Sequence, residues 1–463
     1  MGLGNLLEDI FKNVPDYKHF MTVDELNESS KSLAEEYKEV VQLKEIGKSR
    51  DGKPIFSLKI GNGGLNAVLF AFPHPNEPVG SMMLEYLSNV YAQNEELRKN
   101  MGFTLHIVKV SDPDGAKLNE NWFKGPFTPL NYALNYYRPA GNQQVEWTFP
   151  IKYKNLNFNK PIPETKALMK LIDETKPDFI YSLHNAGFGG VYYYLSHDIP
   201  LLYPIYQYIA LKQELPLSLG EPEMPYAIKF ADAVYSLPST KERYDYLEKH
   251  SEKDPAEIIK SGTSSVDYAK RVNPNVCELV CEVPYYYDPR INNLSESDVI
   301  RKDAILSKLD FREDLYKFLY DRFKGIHNLL TRPSRFKESI EYFLEVGLES
   351  IKAERNWAKN NPELERPATV AEKFDNELVS KFYSMLITGL FLRMITYQLE
   401  LGFDKRLSDL AEKVKERLSE LDEIVEREMN YSVIPIKKLV TVQLAAGLYT
   451  MLYVKEIRRK YQS

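Results

Sequence analysis

Short apolar runs alternate with helical patterns between residues 45 and 290, and this alternation constrains the fold more than any other feature. Each run is six to eight residues long, which suits a buried strand: 67–72, 103–109, 178–183 and 276–283. Helical patterns at 78–99 and 163–175 lie between these runs. Strands that alternate with helices predict an α/β fold whose sheet is at least partly parallel.

The pattern changes after about residue 300, where only long helical patterns follow one another. They cover 297–331, 335–360, 370–401, 405–430 and 434–461, without a clear strand. We therefore expect three parts: a helical lead-in at 1–45, an α/β domain at 46–295 and an all-helical domain at 296–463. The helical domain could mediate homodimer formation, cover a cleft or stabilise the α/β domain.

Composition excludes two classes of partner. The chain has 60 Lys and Arg against 66 Asp and Glu, a net charge of −6. A mildly acidic chain lacks the basic surface that nucleic acid requires. The most apolar stretches, 385–395 and 439–454, fall short of the about 18 residues that suggest a membrane span. We expect neither a nucleic-acid nor a membrane partner.

The two cysteines, Cys277 and Cys281, lie in one predicted strand. Residues four apart in a strand are too distant for a disulfide, so we expect free thiols. Free thiols suit a reducing compartment, and the first residues lack the basic start and apolar run of a signal peptide. A cytoplasmic location is the expectation.

Three polar residues stand at the ends of predicted strands. His74 follows the run at 67–72, His184 follows the run at 178–183, and Glu282 lies near the end of the run at 276–283. Ligands of open α/β sheets bind beyond the carboxyl ends of the strands. These side chains are therefore candidates for a functional site.

Glu77 adds a carboxylate three residues after His74, in the turn before a helix. Catalytic zinc is held by three such nitrogen and oxygen ligands and keeps a position open. The spacing alone is weak, because a loop histidine and a carboxylate at a helix N-terminus explain it equally well. His184, taken alone, would be a half-buried histidine bonded to backbone.

The motifs taken together resemble the zinc carboxypeptidase family of the carboxypeptidase A type, over roughly residues 40–290. The order and spacing of six weak motifs carry this resemblance: the hairpin-like segment 46–61, His74-Pro-Asn-Glu77, Asp112-Pro-Asp-Gly115, Pro163-Glu-Thr-Lys-Ala-Leu168, Ser182-Leu-His184, and the segment 261–268 followed by Glu282-Val-Pro-Tyr285. The resemblance implies a mixed eight-stranded sheet with helices on both faces.

The resemblance also implies the roles of individual residues. His74, Glu77 and His184 would hold one Zn²⁺ per chain, and Glu282 would move the proton of the attacking water. Glu278 is a rival base, since it shares a strand face with Glu282. Arg138 would bind substrate and stabilise the developing oxyanion, a looser match to the family pattern.

The sequence departs from the family at the motif that binds the substrate's terminal carboxylate. Asn157 is kept as a candidate substrate-binding residue, but Phe158 stands at the arginine position and Asn155 at the aspartate position. Phenylalanine cannot bind a carboxylate, so another cation such as Lys160 would have to replace the arginine. The family's substrate-capping tyrosine has three candidates: Tyr235, Tyr244 and Tyr246.

These observations predict a zinc-dependent hydrolase of peptide or related amide bonds, a metallocarboxypeptidase-like peptidase that need not require a terminal carboxylate. An amidase or deacylase that acts on modified peptides or acyl amino acids is the alternative that Phe158 favours. A binding module with a decayed site is the alternative of another class. The intact set of three ligands and Glu282 argue against this last alternative.

Overall fold

The computed structural model describes residues 2–462 and the side chains of residues 2–460. Its centre is a nine-stranded mixed sheet in the order β1-β2-β4-β3-β7-β11-β8-β10-β9, with β5 and β6 forming a separate hairpin. The bounds are β1 (Val41–Lys48), β2 (Pro54–Ile60), β3 (Leu65–Ala71), β4 (Phe103–Val108), β5 (Ile151–Tyr153), β6 (Leu156–Phe158), β7 (Phe179–Leu183), β8 (Tyr192–Leu195), β9 (Lys229–Ala231), β10 (Val234–Ser236) and β11 (Cys277–Glu282).

The four predicted apolar runs are confirmed as β4, β3, β7 and β11, which lie side by side and run parallel. Their side chains are almost entirely buried, as expected for strands covered on both faces. The antiparallel pair β1–β2 confirms the early hairpin. The resemblance implied eight strands, and the ninth is the short edge strand β9, which pairs antiparallel with β10.

Helices cover both faces of the sheet, as predicted. The face that packs against α3 and the last helix of the chain carries the larger core, and α8 and α12 cover the other face. The helices of this part are α1 (Leu3–Lys12), α2 (Val23–Glu36), α3 (Val79–Gln93), α4 (Glu95–Met101), α5 (Pro113–Lys117), α6 (Glu120–Phe123), α7 (Pro129–Asn135), α8 (Pro163–Thr175), α9 (Tyr203–Lys212), α10 (Thr240–His250), α11 (Pro255–Ile258) and α12 (Ser265–Ala269).

The region after residue 295 is mainly helical, as predicted. Its helices are α13 (Arg301–Ile326), α14 (Arg335–Asn360), α15 (Val370–Phe374), α16 (Ser380–Leu399), α17 (Lys405–Glu428) and α18 (Ile436–Gln462), with a π-helical turn at Asp375–Val379. Short strands also occur here or just before it: β12 (Tyr286–Tyr287), β13 (Glu296–Ile300), β14 (Pro367–Thr369) and β15 (Ser432–Val433).

The prediction that this region has no strand is therefore wrong. Residues 297–300 were predicted to open a helix, but they form β13 and pair with β14. Val299 and Ile300 are β-branched, and such side chains favour an extended backbone. The pairing with Pro367–Thr369 satisfies backbone groups that an isolated extended segment would leave free.

Two helices connect this region to the sheet. α16 packs against α7, and α18 packs against α3, α9, β7 and β11. The helical stretch Val370–Leu399 is long and apolar enough to cross a membrane by length and composition, but 78% of its most apolar window is buried inside the protein. The division at residues 45 and 295 stays a prediction, and β1 spans the first of these boundaries.

Candidate metal centre

The candidate ligands follow neighbouring strands at one edge of the sheet. β3, β7 and β11 are adjacent and parallel, so their carboxyl ends lie together. His74 lies three residues beyond β3, His184 directly follows β7, and Glu282 is the last residue of β11. The strand-end argument therefore holds for all three side chains.

The turn that carries His74 and Glu77 is fixed by several hydrogen bonds. Phe72 has a positive φ of 56°, a conformation that side chains rarely adopt and that redirects the chain directly after β3. The hydroxyl of Ser111 donates to the carbonyl oxygen of Phe72 at 2.8 Å. Further along, the Tyr285 hydroxyl donates to the carbonyl oxygen of Asn76 at 2.8 Å. These contacts hold the turn against the sheet.

His74, Glu77 and His184 place their ligand atoms within 4.8 Å of one another, and all three residues are buried. Nδ1 of His184 lies 3.1 Å from Oε2 of Glu77. Nδ1 of His74 is buried and has no hydrogen-bond partner among the described residues. Burial, Arg138 and His184 lower the pKa of His74 well below its usual value, which keeps the imidazole neutral as a metal ligand must be. The set fits zinc.

A buried serine and glutamate orient His184 from behind. Nε2 of His184 lies 2.9 Å from the hydroxyl of Ser182, which in turn donates to Oε2 of Glu146 at 2.9 Å. Because the serine proton is given to Glu146, its oxygen is left to accept from Nε2–H of His184. This leaves the lone pair on Nδ1, the atom nearest Glu77, for a metal.

Glu282 lines the same cavity, and its Oε1 lies 3.9 Å from Nδ1 of His184. Burial raises the pKa of Glu282, and the carboxylates of Glu77 and Glu223 raise it further. A raised pKa suits a group that exchanges a proton near neutral pH. The rival Glu278 is fully buried, accepts a hydrogen bond from the Ser265 hydroxyl at 2.9 Å, and is not among the cavity-lining residues.

Arg138 reaches the site from the segment after α7. Its Nη1 donates to Oε1 of Glu77 at 3.1 Å, so it contacts a candidate ligand directly. Arg138 is the only lysine or arginine among the described residues that line the cavity. The bond to Glu77 occupies one N–H donor and the Tyr136 side chain also interacts with the guanidinium group, which leaves its other donors available.

Asn157 is not brought to this site. It is exposed in the middle of β6 and pairs with Lys152 across the hairpin, outside the set of cavity-lining residues. Its neighbours Leu156 and Phe158 point the other way, into a small apolar cluster. Asn155 donates to Asp254 at 2.8 Å, and Lys160 is exposed. The hairpin thus supplies no residue to the candidate site.

The cavity encloses about 220 Å³, and α16 forms part of its wall. Tyr383 and Leu386 of α16 line it, and the Tyr383 hydroxyl accepts a hydrogen bond from the backbone N–H of Gly187 at 3.3 Å. None of the three predicted capping tyrosines lines this cavity; Tyr235 lines a neighbouring one. Covering the cleft is one of the roles left open for the helical region, and these contacts support it.

The last helix of the chain supports the site from the opposite side. The side-chain amide of Gln443 on α18 donates to the carbonyl oxygens of His184 at 2.6 Å and of Cys281 at 3.3 Å. The Tyr181 hydroxyl donates to the backbone carbonyl of Gln443 at 2.9 Å. These bonds join the carboxyl ends of β7 and β11 at a fixed spacing.

Sequence reasoning missed four residues that shape the site: Glu146, Glu223, Tyr383 and Gln443. Glu146 had a detectable signal, since it is a lone acid in an otherwise uncharged segment at 139–151. The other three follow no strand and belong to no motif. Only the packing of distant segments brings them to the cavity.

Comparison with known proteins agrees with this geometry. A family model described as zinc carboxypeptidase matches residues 26–283. Carboxypeptidase M of Mus musculus is 29% identical over 152 residues, which are 30% of this chain and 32% of that protein. Carboxypeptidase B of Astacus astacus is 25% identical over 107 residues, 22% of this chain and 35% of that protein. The chain thus spans about a third of the length of these curated relatives.

Solved structures with a likeness to this chain include two carboxypeptidases. Carboxypeptidase A of Helicoverpa armigera is 14% identical, with a TM-score of 0.37 and coverage of 61% of this chain and 71% of that one. A metallo-carboxypeptidase of Burkholderia cenocepacia is 15% identical, with a TM-score of 0.30 and coverage of 55% and 58%. The family model covers more than half of the chain, and the chain therefore belongs to the zinc carboxypeptidase family.

Proposed function

We propose that this chain is a zinc-dependent hydrolase that cleaves peptide or related amide bonds. One observation carries the proposal: three buried ligands of the zinc type and a carboxylate, Glu282, meet in one cavity, with Glu282 3.9 Å from a ligand nitrogen. Family membership supports a metallopeptidase. Two buried free thiols, Cys277 and Cys281, support the further proposal of a cytoplasmic location.

His74, Glu77 and His184 would hold the metal, and zinc in such a site supplies Lewis acidity and makes water a better nucleophile at neutral pH. Glu282 would accept the proton of the attacking water and pass it to the leaving amine. The free donors of Arg138 would stabilise negative charge that develops on the carbonyl oxygen. Tyr383 and Leu386 form part of the wall of this space.

A second candidate is an amidase or deacylase that does not require a terminal carboxylate. The supporting observation is that Arg138 is the only lysine or arginine lining the cavity within the described chain, and it already pairs with Glu77. A substrate carboxylate would therefore compete with Glu77 for the same guanidinium group. A substrate without that carboxylate would meet no such competition.

The test uses the full chain loaded with zinc and assayed on matched peptides with free, amidated and N-acylated ends. Glu282→Gln should retain one zinc per chain, measured by elemental analysis, and lose about 10²- to 10⁴-fold in kcat. Glu252→Gln, at an exposed position, is the matched control. Failure to bind zinc, or normal turnover by Glu282→Gln, would refute the proposal. Strong preference for free carboxylates would exclude the second candidate.

A further inference from the structure

A second concavity of the α/β part lies apart from the metal centre and is lined mainly by cations. It encloses about 340 Å³, and no described residue lines both this concavity and the cavity of the candidate ligands. We call it the basic pocket after its four cations: Lys152, Lys241, Lys270 and Arg271. All four residues are exposed, so a ligand can reach them from solvent.

The positive charge of the basic pocket is largely unbalanced. Asp267 is the one carboxylate among the described residues that line it, and it accepts a hydrogen bond from the hydroxyl of Thr263. None of the four cations forms an ion pair within the part of the chain that the structure describes. Four positive charges thus meet one negative charge, although the whole chain carries a net charge of −6. Converging cations without counterions attract an anion.

The four cations come from three separate segments. Lys152 is the middle residue of β5, and Lys241 is the second residue of α10. Lys270 and Arg271 directly follow α12. Nη2 of Arg271 donates to the carbonyl oxygen of Pro150, which ties the end of α12 to the start of the β5 segment. The cations therefore enclose one space from several directions, an arrangement that suits a compact anion.

Lys241 occupies a position that is unfavourable for a cation. It lies in the first turn of α10, where the helix macrodipole is positive and repels a positive side chain. The neighbouring Glu242 does not offset this charge, because its carboxylate accepts from the backbone N–H of Ser239 in the capping box. A bound anion would relieve the repulsion.

The residue types and the size of the basic pocket favour phosphate over carboxylate. Lysine binds phosphate as a point charge, whereas planar bidentate recognition of a carboxylate relies on arginine. Three of the four cations are lysines. A volume of about 340 Å³ lies near the lower end of the range for small-molecule sites, which suits one or two phosphate groups better than an extended peptide.

We propose that the basic pocket binds a small phosphate-bearing anion at a site separate from the metal centre. The anion can carry one phosphate group or two linked groups, and the test distinguishes these cases. Binding here does not depend on the proposed hydrolase function, because no described residue is common to the two cavities.

The test measures binding of inorganic pyrophosphate and inorganic phosphate to the zinc-loaded full chain by calorimetry. Pyrophosphate that binds about 10-fold more tightly than phosphate identifies a site for two linked groups, and equal binding identifies a site for one. The double variant Lys152→Gln/Lys241→Gln should weaken pyrophosphate binding about 10- to 100-fold, since it removes two charged donors.

The matched control is the double variant Lys38→Gln/Lys413→Gln, which makes the same change in net charge at exposed lysines outside the basic pocket. It should change the affinity by about twofold at most, because salt screens distant charges. Pyrophosphate held by zinc would be retained in both double variants, so the difference between them reports the basic pocket alone. Elemental analysis after the titration checks that zinc stays bound.

Unchanged pyrophosphate affinity in Lys152→Gln/Lys241→Gln would overturn the proposal, as would an equal loss in both double variants. Tighter binding of tetraglutamate than of either phosphate ligand would also overturn it, because the ligand would then be an acidic peptide. A lack of amide hydrolysis would count against the proposed hydrolase function and not against the anion site.

Discussion

The two walls of the cavity are built in different ways. One wall consists of strand ends that carry His184 and Glu282, together with the turn of His74, and each of these residues lies close to its strand in sequence. The other wall comes from α16, and α18 lies behind the strand ends. The first wall carries the family motifs and the second carries none. The difference teaches that a region without motifs can still complete a site.

If the helical region were an independent unit, changes within it would leave zinc binding and hydrolysis unaffected. If it belongs to the site, changes at its contacts with the strand-built part should alter both stability and function. The predictions below separate these outcomes. They run from the largest expected effect to the smallest.

Gly389→Ala should have the largest effect, because the added methyl group would force α16 away from α7. A Cβ at Gly389 would lie 2.1 Å from the backbone oxygen of Ala133, and neither helix backbone can easily yield. We expect a loss of about 3 kcal/mol in unfolding free energy, measured by thermal or denaturant unfolding. Hydrolysis should fall as well, since α7 leads to Arg138 and α16 carries Tyr383.

The matched control is Gly325→Ala on α13, where an added Cβ meets no atom within 4 Å. Alanine at that exposed helical position should stabilise the protein by up to about 1 kcal/mol. Unchanged stability and activity in Gly389→Ala would show that the two helices need not pack closely. The helical region would then be separable from the site.

Gln443→Leu tests the support that α18 gives from behind. The change removes the donor to the carbonyl oxygens of His184 and Cys281 and leaves both buried. We expect about 2 kcal/mol of destabilisation and about a 10-fold loss of zinc affinity, measured by competition with a chelator. Thr441→Val, two residues away, is the control, because Thr441 bonds only within its own helix, to Lys437. Wild-type zinc affinity in Gln443→Leu would contradict this role.

Asp375→Asn tests the π-helical turn before α16 through its pH dependence. Burial, and then Glu221, raise the pKa of Asp375 from 3.8 to about 7, while the Glu221 N–H donates to it at 2.8 Å. The folded state therefore prefers the protonated form, and this preference stabilises it below pH 4 and is lost as the pH rises to about 7. Asparagine stays neutral throughout.

The variant should therefore gain stability relative to the unmodified protein as the pH rises. We expect the difference in unfolding free energy between the variant and the unmodified protein to grow by about 1–2 kcal/mol from pH 5 to pH 8. This range is reduced because Asp375 is partly exposed to solvent. Thermal unfolding at the two pH values measures it. A difference that does not change with pH would show that Asp375 ionises normally in the folded protein.

The sequence predicted residues of the strand-built wall of the cavity, but not the contacts of the helical wall. Continuous apolar runs with polar residues at their ends identified His74, His184 and Glu282, because such a run and its end are local properties of the sequence. Glu77 followed from the family resemblance of the motif His74-Pro-Asn-Glu77, since its spacing to His74 alone was weak. The assignment of Asn157 followed motif alignment alone, and the structure places that residue on an exposed hairpin.

The contacts of the helical region could not be predicted in this way. Gly187 and Tyr383 are 196 residues apart, and His184 and Gln443 are 259 residues apart. Helical periodicity shows which face of α16 or α18 is apolar, but it does not show what that face packs against. A polar residue on a buried helix face, such as Gln443, indicates that a hydrogen-bond partner exists, but it does not show which residue that partner is.

Tyr383→Phe should have the smallest effect and gives the finest test of the helical wall. The Tyr383 hydroxyl accepts from the N–H of Gly187 and lines the cavity, and its ring packs against Phe382. Phenylalanine keeps the ring and removes only the hydroxyl, so zinc affinity should hardly change, and loss of the hydrogen bond from Gly187 should cost about 1 kcal/mol of stability. We expect kcat/KM to fall by about three- to tenfold, the value of one neutral hydrogen bond.

Tyr397→Phe on the same helix is the matched control, because Tyr397 lies outside the cavity lining and its ring packs under the guanidinium of Arg332. A fall in kcat/KM that occurs only in Tyr383→Phe would show that α16 contributes a polar group to the substrate space and does more than enclose it. Equal activity of both variants would restrict α16 to shaping the cavity. The polar chemistry would then come from the strand ends and from Arg138 in the segment after α7.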